Sequence, residues 1–176
     1  IKEVFATAEV TWGLLLAISR NLVVAHQHVS KGLFDREVFL GLELQGRTLG
    51  VIGYGRLGKK VSEYGQAFGM NVKVTEIDEQ KMIELPQGVE RVELDRLLME
   101  SDVISIHLPL TNETLNYIDD KKIKKMKAGS ILINTSRGEI LDEAAASKAL
   151  ESGRLYGVGV DVLSGEVSEN FDPLSS

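Results

Sequence analysis

The sequence predicts an α/β domain built on a doubly wound parallel sheet, and three observations carry that prediction. From Thr48 onward, short runs rich in Val, Ile and Leu alternate with segments of helical period and do not stop alternating. The apolar runs are continuous rather than every-other-residue, which is the pattern of strands covered by helices on both faces. A glycine-rich turn, Gly53-Tyr54-Gly55-Arg56-Leu57-Gly58, sits between the first of these strands and the helix that follows it.

Taken in order, apolar residues at helical spacing (Val10, Leu14, Leu15, Ile18, Leu22) predict a helix from about Ala6 to Ala25. A linker without a sustained period, Gln27 to Gln45, follows it. Thr48–Ile52 is then the first strand, Leu57–Phe68 a helix stopped by Gly69, and Val72–Thr75 the second strand. Val89–Val92 makes a short third strand, Leu94–Met99 a helix and Val103–Ile106 a fourth strand. Asp119–Met126 is a helix with Gly129 as its C-cap, Ile131–Asn134 a strand, Asp142–Glu151 a helix and Leu155–Val160 the last strand. Residues 1–45 thus form a helix and linker, and residues 46–176 the alternating domain.

Composition narrows the class. Hydrophobic residues make 43% and charged residues 26% of the 176, enough for one sizeable core. Twenty basic against 26 acidic side chains leave a net charge of −6, which argues against a broad nucleic-acid-binding face. The basic run Lys121–Lys127 reads as a solvated helix face. With no cysteine there is neither a disulfide framework nor a thiolate metal site, and that usage suits a reducing cytoplasm. No apolar run is long enough to span a bilayer, no His/Asp/Glu group has metal-ligand spacing, and Ile1-Lys2-Glu3-Val4-Phe5 reads as the middle of a longer chain.

The glycine turn fits G-x-G-x-x-G in the strand–turn–helix setting that gives the pattern meaning. Gly53 makes the tight turn, Gly55 lets a pyrophosphate approach bare backbone, and Gly58 lets the helix pack closely on the strand. The helix start at Arg56 and Leu57 offers unpaired N–H groups and a partial positive charge to the phosphates. The second half of this Rossmann fingerprint is an acid at the end of the second strand. Glu76, directly after Val72-Lys73-Val74-Thr75, is the better placed candidate, with Asp78 its rival. A carboxylate there accepts from ribose hydroxyls and repels a 2′-phosphate, so the expected cofactor is NAD rather than NADP.

Asn134-Thr135-Ser136-Arg137-Gly138-Glu139-Ile140-Leu141-Asp142-Glu143 resembles the signature of the D-isomer-specific 2-hydroxyacid dehydrogenases, phosphoglycerate dehydrogenase-like members included. Ala6-Thr7-Ala8-Glu9, the glycine turn, His107-Leu108-Pro109-Leu110-Thr111 and Gly159-Val160-Asp161-Val162-Leu163 stand in the family's order and spacing. The resemblance implies hydride transfer between NAD(H) and a small 2-hydroxy or 2-oxo acid, and dimerisation through the nucleotide domains and the first helix. It also implies that Asp161 accepts from the nicotinamide carboxamide, and that backbone around Leu108 and Thr135, Ser136 and Arg137 touches the cofactor. Glu166 matches the glutamate that raises the pKa of the family's catalytic histidine, with Glu169 as the rival assignment.

Arg137 can also be argued from its place. It lies just past the end of an apolar strand, on the side of a parallel sheet where ligands bind, and a guanidinium there forks onto a carboxylate and a carbonyl oxygen. The family's acid–base histidine lies in a Pro-His segment further along than Ser176. His26 and His28 fall in or near the linker, and His107 matches a cofactor-side position rather than the proton donor. The segments that build the family's substrate domain are absent as well, so the chain is expected to bind NAD(H) without turning over a substrate alone. A relative of another class, an NADH-sensing corepressor, would retain the same cradle and arginine. An S-adenosyl donor domain fits the Arg137 block poorly.

Overall fold

In a computed structural model, which describes residues 2–35, 37–76 and 85–166, six parallel strands form one sheet with helices on both faces. In chain order the elements are α1 (Lys2–Ser19), α2 (Leu22–Ser30), β1 (Thr48–Ile52), α3 (Arg56–Ala67), β2 (Asn71–Thr75), β3 (Val89–Arg91), α4 (Leu94–Glu100), β4 (Val103–Ile106), α5 (Asp120–Lys125), β5 (Ser130–Asn134), α6 (Glu143–Glu151) and β6 (Leu155–Val160). The strand order is β3-β2-β1-β4-β5-β6. The direction of winding reverses between β1 and β4, and that switch point opens a crevice at the carboxyl ends of the strands.

Consecutive strand residues serve opposite faces, so the continuous apolar runs are doubly covered. Ile131 and Ile133 pack with Leu49, Val51 and Val61 on the α3 side, while Leu132 packs with Leu97, Ile104 and Ile123 on the other. Helix α1 belongs to the α3 side: Ala8, Trp12 and Leu15 are buried there, and Trp12 meets Tyr64 edge-on with ring centroids 6.0 Å apart. Burial of a side chain such as Leu15 contributes roughly 2 kcal/mol. Gly157 and Gly159 of β6 allow this close approach, since a Cβ at Gly157 would run into Ile18 and one at Gly159 would meet Ile133 and crowd Ile18 and Leu14.

Three local readings are corrected. The first helix does not run unbroken to Ala25. It stops at Ser19, Asn21 takes a left-handed φ of 54°, and α2 continues at an angle of 61° as far as Ser30, beyond the expected start of the linker. The apolar pattern crosses the break, which hid it, but asparagine tolerates that backbone where most residues do not. Asp119 and Asp142 are not helical. They are N-caps, whose carboxylates accept from the Lys122 and Ala145 N–H groups. Gly129 (φ 74°) lies past the α5 cap at Met126, in the turn that enters β5.

The lysine run does form a solvated face: Lys124 pairs with Asp120, Lys125 with Asp95 and Lys127 with Asp102. Asp102 also accepts from the Thr48 N–H, tying β1 to β4 at the end of the sheet away from the crevice. Burial pushes its carboxyl pKa up, but the Lys127 and Thr48 hydrogen bonds outweigh that and hold it below the usual value. No single helix among the described residues is long and apolar enough to cross a membrane.

Candidate functional site: a cleft at the carboxyl ends of the strands

The strand register assembles the site. Ile52 stands opposite both Thr75 and Ile106, Ile106 opposite Asn134, and Asn134 opposite Val160. The residues one step further on, Gly53, Glu76, His107, Thr135 and Asp161, therefore leave the sheet along one row. Beyond this row lies a cleft of about 640 Å³, lined by Gly55, Arg56 and Leu57 from the glycine turn, His107, Leu108, Pro109 and Leu110 after β4, Thr135, Ser136 and Arg137 after β5, and Val4 and Thr7 of α1.

The three glycines do different work. Gly53 has a φ of 94°, and a Cβ on it would come within 2.5 Å of the His107 carbonyl oxygen. A Cβ on Gly58 would be driven into the Gly53 carbonyl oxygen, so this glycine lets the first turn of α3 sit on the loop. Gly55 differs: its backbone is extended, and apart from itself and its two chain neighbours no atom lies within 4 Å of where a Cβ would be. That open space faces the cleft. Gly55 caps α3 without a side-chain hydrogen bond, which leaves the helix start to serve an anion. The bare backbone and open space fit a diphosphate. Glu76, at the end of β2, accepts from the Tyr54 N–H at 2.8 Å, and this holds its carboxylate against the glycine turn. Asp78 lies outside the described residues.

The turn after β5 is pinned to the sheet by its own polar side chains. Asn134 Nδ2 donates to the Arg137 carbonyl at 2.9 Å, its Oδ1 accepts from the Ser136 N–H, and Ser136 Oγ donates to the Ile106 carbonyl at 2.7 Å. Arg137 is exposed at the cleft, with one guanidinium nitrogen donating to the Ser136 carbonyl. Asp161 follows β6 and is joined to β5 through its N–H on the Asn134 carbonyl, but it is not among the cleft's lining residues. Nor is Glu166, which is exposed and accepts from the Leu163 N–H at 2.9 Å. Glu169 lies outside the described residues. The cleft thus gathers Gly55, Arg56, Leu57, Leu108, Thr135, Ser136 and Arg137 from the residues expected of it; Gly53, Gly58 and Glu76 lie outside its lining, in or against the glycine turn.

His107 lines the cleft with a ring that burial keeps neutral. Its Nε2 lies 2.8 Å from Ser105 Oγ, its Nδ1 is sealed from solvent, and burial pushes its pKa down from 6.5 to about 3. The ring is therefore neutral near pH 7 and cannot supply an imidazolium proton. Because the unfolded chain binds this proton between pH 6.5 and about 3 and the folded chain does not, stability is intact above pH 6.5. It is lost as the pH falls through that window. The expected slope approaches about 1.4 kcal/mol per pH unit. Urea unfolding between pH 7.5 and 4.5 should show it, and His107→Gln should flatten it. An equal slope in both proteins would refute the assignment.

A family model described as the D-isomer specific 2-hydroxyacid dehydrogenase, NAD binding domain, matches residues 12–176. The chain belongs to this family. It is 42% identical over 97% of its length to a glyoxylate reductase of Aeropyrum pernix, covering 53% of that protein. It is 39% identical over 96% of its length to a D-3-phosphoglycerate dehydrogenase of Archaeoglobus fulgidus, covering 32%. Among solved structures, D-lactate dehydrogenase from Aquifex aeolicus, complexed with NAD and lactic acid, superposes with a TM-score of 0.81 at 40% identity, with 90% of this chain and 47% of that one covered. An acyclic imino acid reductase (Bsp5), in complex with NADPH and D-Arg, gives 0.84 at 34% identity, covering 90% and 51%. The chain spans about half, or less, of the relatives' lengths, and what it spans is an NAD-binding domain.

Asn134, Val4 and Thr7 went unassigned in the sequence. Asn134 carried a readable signal, a polar residue closing an apolar strand. Thr7 stood in the Ala6–Glu9 stretch of the family resemblance without a role, and Val4 carried no signal, because a long-range packing arrangement brings α1 to the cleft.

Proposed function

We propose that this chain is the cofactor half of an NAD-dependent oxidoreductase that moves hydride between NAD(H) and a small D-2-hydroxy or 2-oxo acid, with Arg137 gripping the acid's carboxylate. The observation that carries the reading is the cradle at Gly55, an extended glycine with open space where a side chain would stand, at the start of a helix and beside Glu76. Gly55, Arg56 and Leu57 would hold the pyrophosphate and Glu76 the adenosine ribose, while Thr135, Ser136 and Asp161 would hold the nicotinamide half. When bound, NAD(H) supplies the hydride chemistry. The chain's own residues orient it and, through Arg137, bind anionic substrate and stabilise charge on the carbonyl oxygen.

Glu166 is assigned to positioning an acid–base histidine, the role that the family resemblance gives it. A second copy of the chain is the proposed partner of α2. That helix buries none of its residues, and Leu22, Val23, Val24, Val29, Leu33 and Phe34 along α2 and just after it are exposed. Light scattering should read a dimer, and a monomer at every concentration would remove this part.

Calorimetry with NADH and NADPH tests the main reading. NADH should bind tighter, and Glu76→Ala should weaken it about tenfold while leaving NADPH little changed. Equal affinity for both cofactors in the unaltered chain would end the assignment of Glu76 as the ribose acid.

A further inference from the structure

Helix α1 does more than cover the sheet. Its first turns line the cleft with Val4 and Thr7, and one turn further on it reaches the end of β5 through a buried hydroxyl pair. Thr11 Oγ1 lies 2.7 Å from Thr135 Oγ1, a contact between residues 124 apart in the chain. Both side chains are buried, Thr11 at 1% and Thr135 at 6% exposure.

The direction of the pair follows from counting protons. A threonine hydroxyl has one hydrogen to give. That of Thr11 goes to the Thr7 carbonyl one helical turn back, at 2.8 Å, which also fixes its rotamer. Thr135 must therefore donate to Thr11, giving a one-way relay from Thr135 through Thr11 to the backbone of α1. Thr135 is the first residue of the pinned turn that carries Ser136 and Arg137. It also stands on the far side of the glycine turn from Glu76, because β5 and β2 lie on opposite sides of β1 in the sheet.

We propose that Thr11 is a positioning residue for the nicotinamide half of the cofactor: by accepting the Thr135 proton it locks the wall of the cleft against which that half lies. This rests on the functional reading above. The adenosine half, held at Gly55 and Glu76, is outside its reach, so α1 is coupled to one end of the dinucleotide and not the other.

The test is titration of the full chain with NADH and, separately, with ADP-ribose, which lacks the nicotinamide. Thr11→Val keeps the shape and removes the hydroxyl, leaving the buried Thr135 O–H without its acceptor. The expected result is about tenfold weaker NADH binding with ADP-ribose affinity within about twofold of the original, and recovery of NADH affinity in Thr11→Ser. Should Thr11→Val not fold, the double variant Thr11→Val/Thr135→Val has no orphaned hydroxyl and must show the same selective loss of NADH. Unchanged NADH affinity in whichever variant folds, equal loss of both ligands, or failure of Thr11→Ser to recover would each overturn the proposal. Failure of the unaltered chain to bind either ligand would instead overturn the functional reading.

Discussion

Gly58→Ala is expected to destabilise the domain by about 3 kcal/mol, the upper part of the range for forcing atoms into a packed interior. The clash cannot be relieved by a side-chain rotation, since the atom in the way is the Gly53 carbonyl oxygen and Val51 closes the other side. Either α3 lifts off β1 or the glycine turn opens, and both separate Val61 from the core it shares with Leu49 and Val51. For a domain of this size the loss corresponds to a fall in Tm of roughly 6–12 °C. Thermal unfolding without ligand reads it, and a Tm within a degree of the original would show that the turn is far more yielding than its geometry implies.

Gly55→Ala, three residues earlier, should do the reverse. Its backbone is one that alanine adopts readily, and the added methyl meets nothing in the protein. The unliganded Tm is expected to stay within about 2 °C. The methyl instead enters the space assigned to the diphosphate and should weaken NADH at least about thirtyfold, equivalent to about 2 kcal/mol. The contrast between the two variants is sharper than either alone: one glycine is kept for the protein's atoms, the other for the ligand's. A Gly55→Ala chain that bound NADH normally would mean that the cradle holds something else.

The sequence displayed much of this because its information was local. β1, β4, β5 and β6 are short, largely apolar runs closed by a glycine or polar residue, and parallel register sets those closing residues, with Glu76 after β2, in a row without further instruction. Gly53 and Glu76 could therefore be placed from spacing and Arg137 from its position past a strand end, while Thr135 was reached through the family resemblance. What stayed hidden depends on single backbone angles or on tertiary contacts. The break at Asn21 rests on one backbone angle inside a pattern that otherwise continues, and the caps at Asp119 and Asp142 differ from first helical residues only in dihedral angle. The place of α1 against β5 and β6, and with it the Thr11–Thr135 pair, depends on Gly157 and Gly159 leaving room for Leu14 and Ile18. No spacing rule connects those positions.

The central claim is that backbone at Gly55, Arg56 and Leu57 receives a diphosphate while Glu76 holds the ribose beside it. A crystal structure of the chain grown with NADH tests it most directly. The account predicts phosphate oxygens within hydrogen-bond distance of these amides, ribose hydroxyls on the Glu76 carboxylate, and the nicotinamide ring on the Thr135 side of the cleft. A dinucleotide bound anywhere else, or one running the opposite way with its adenine beside Thr135, would contradict it.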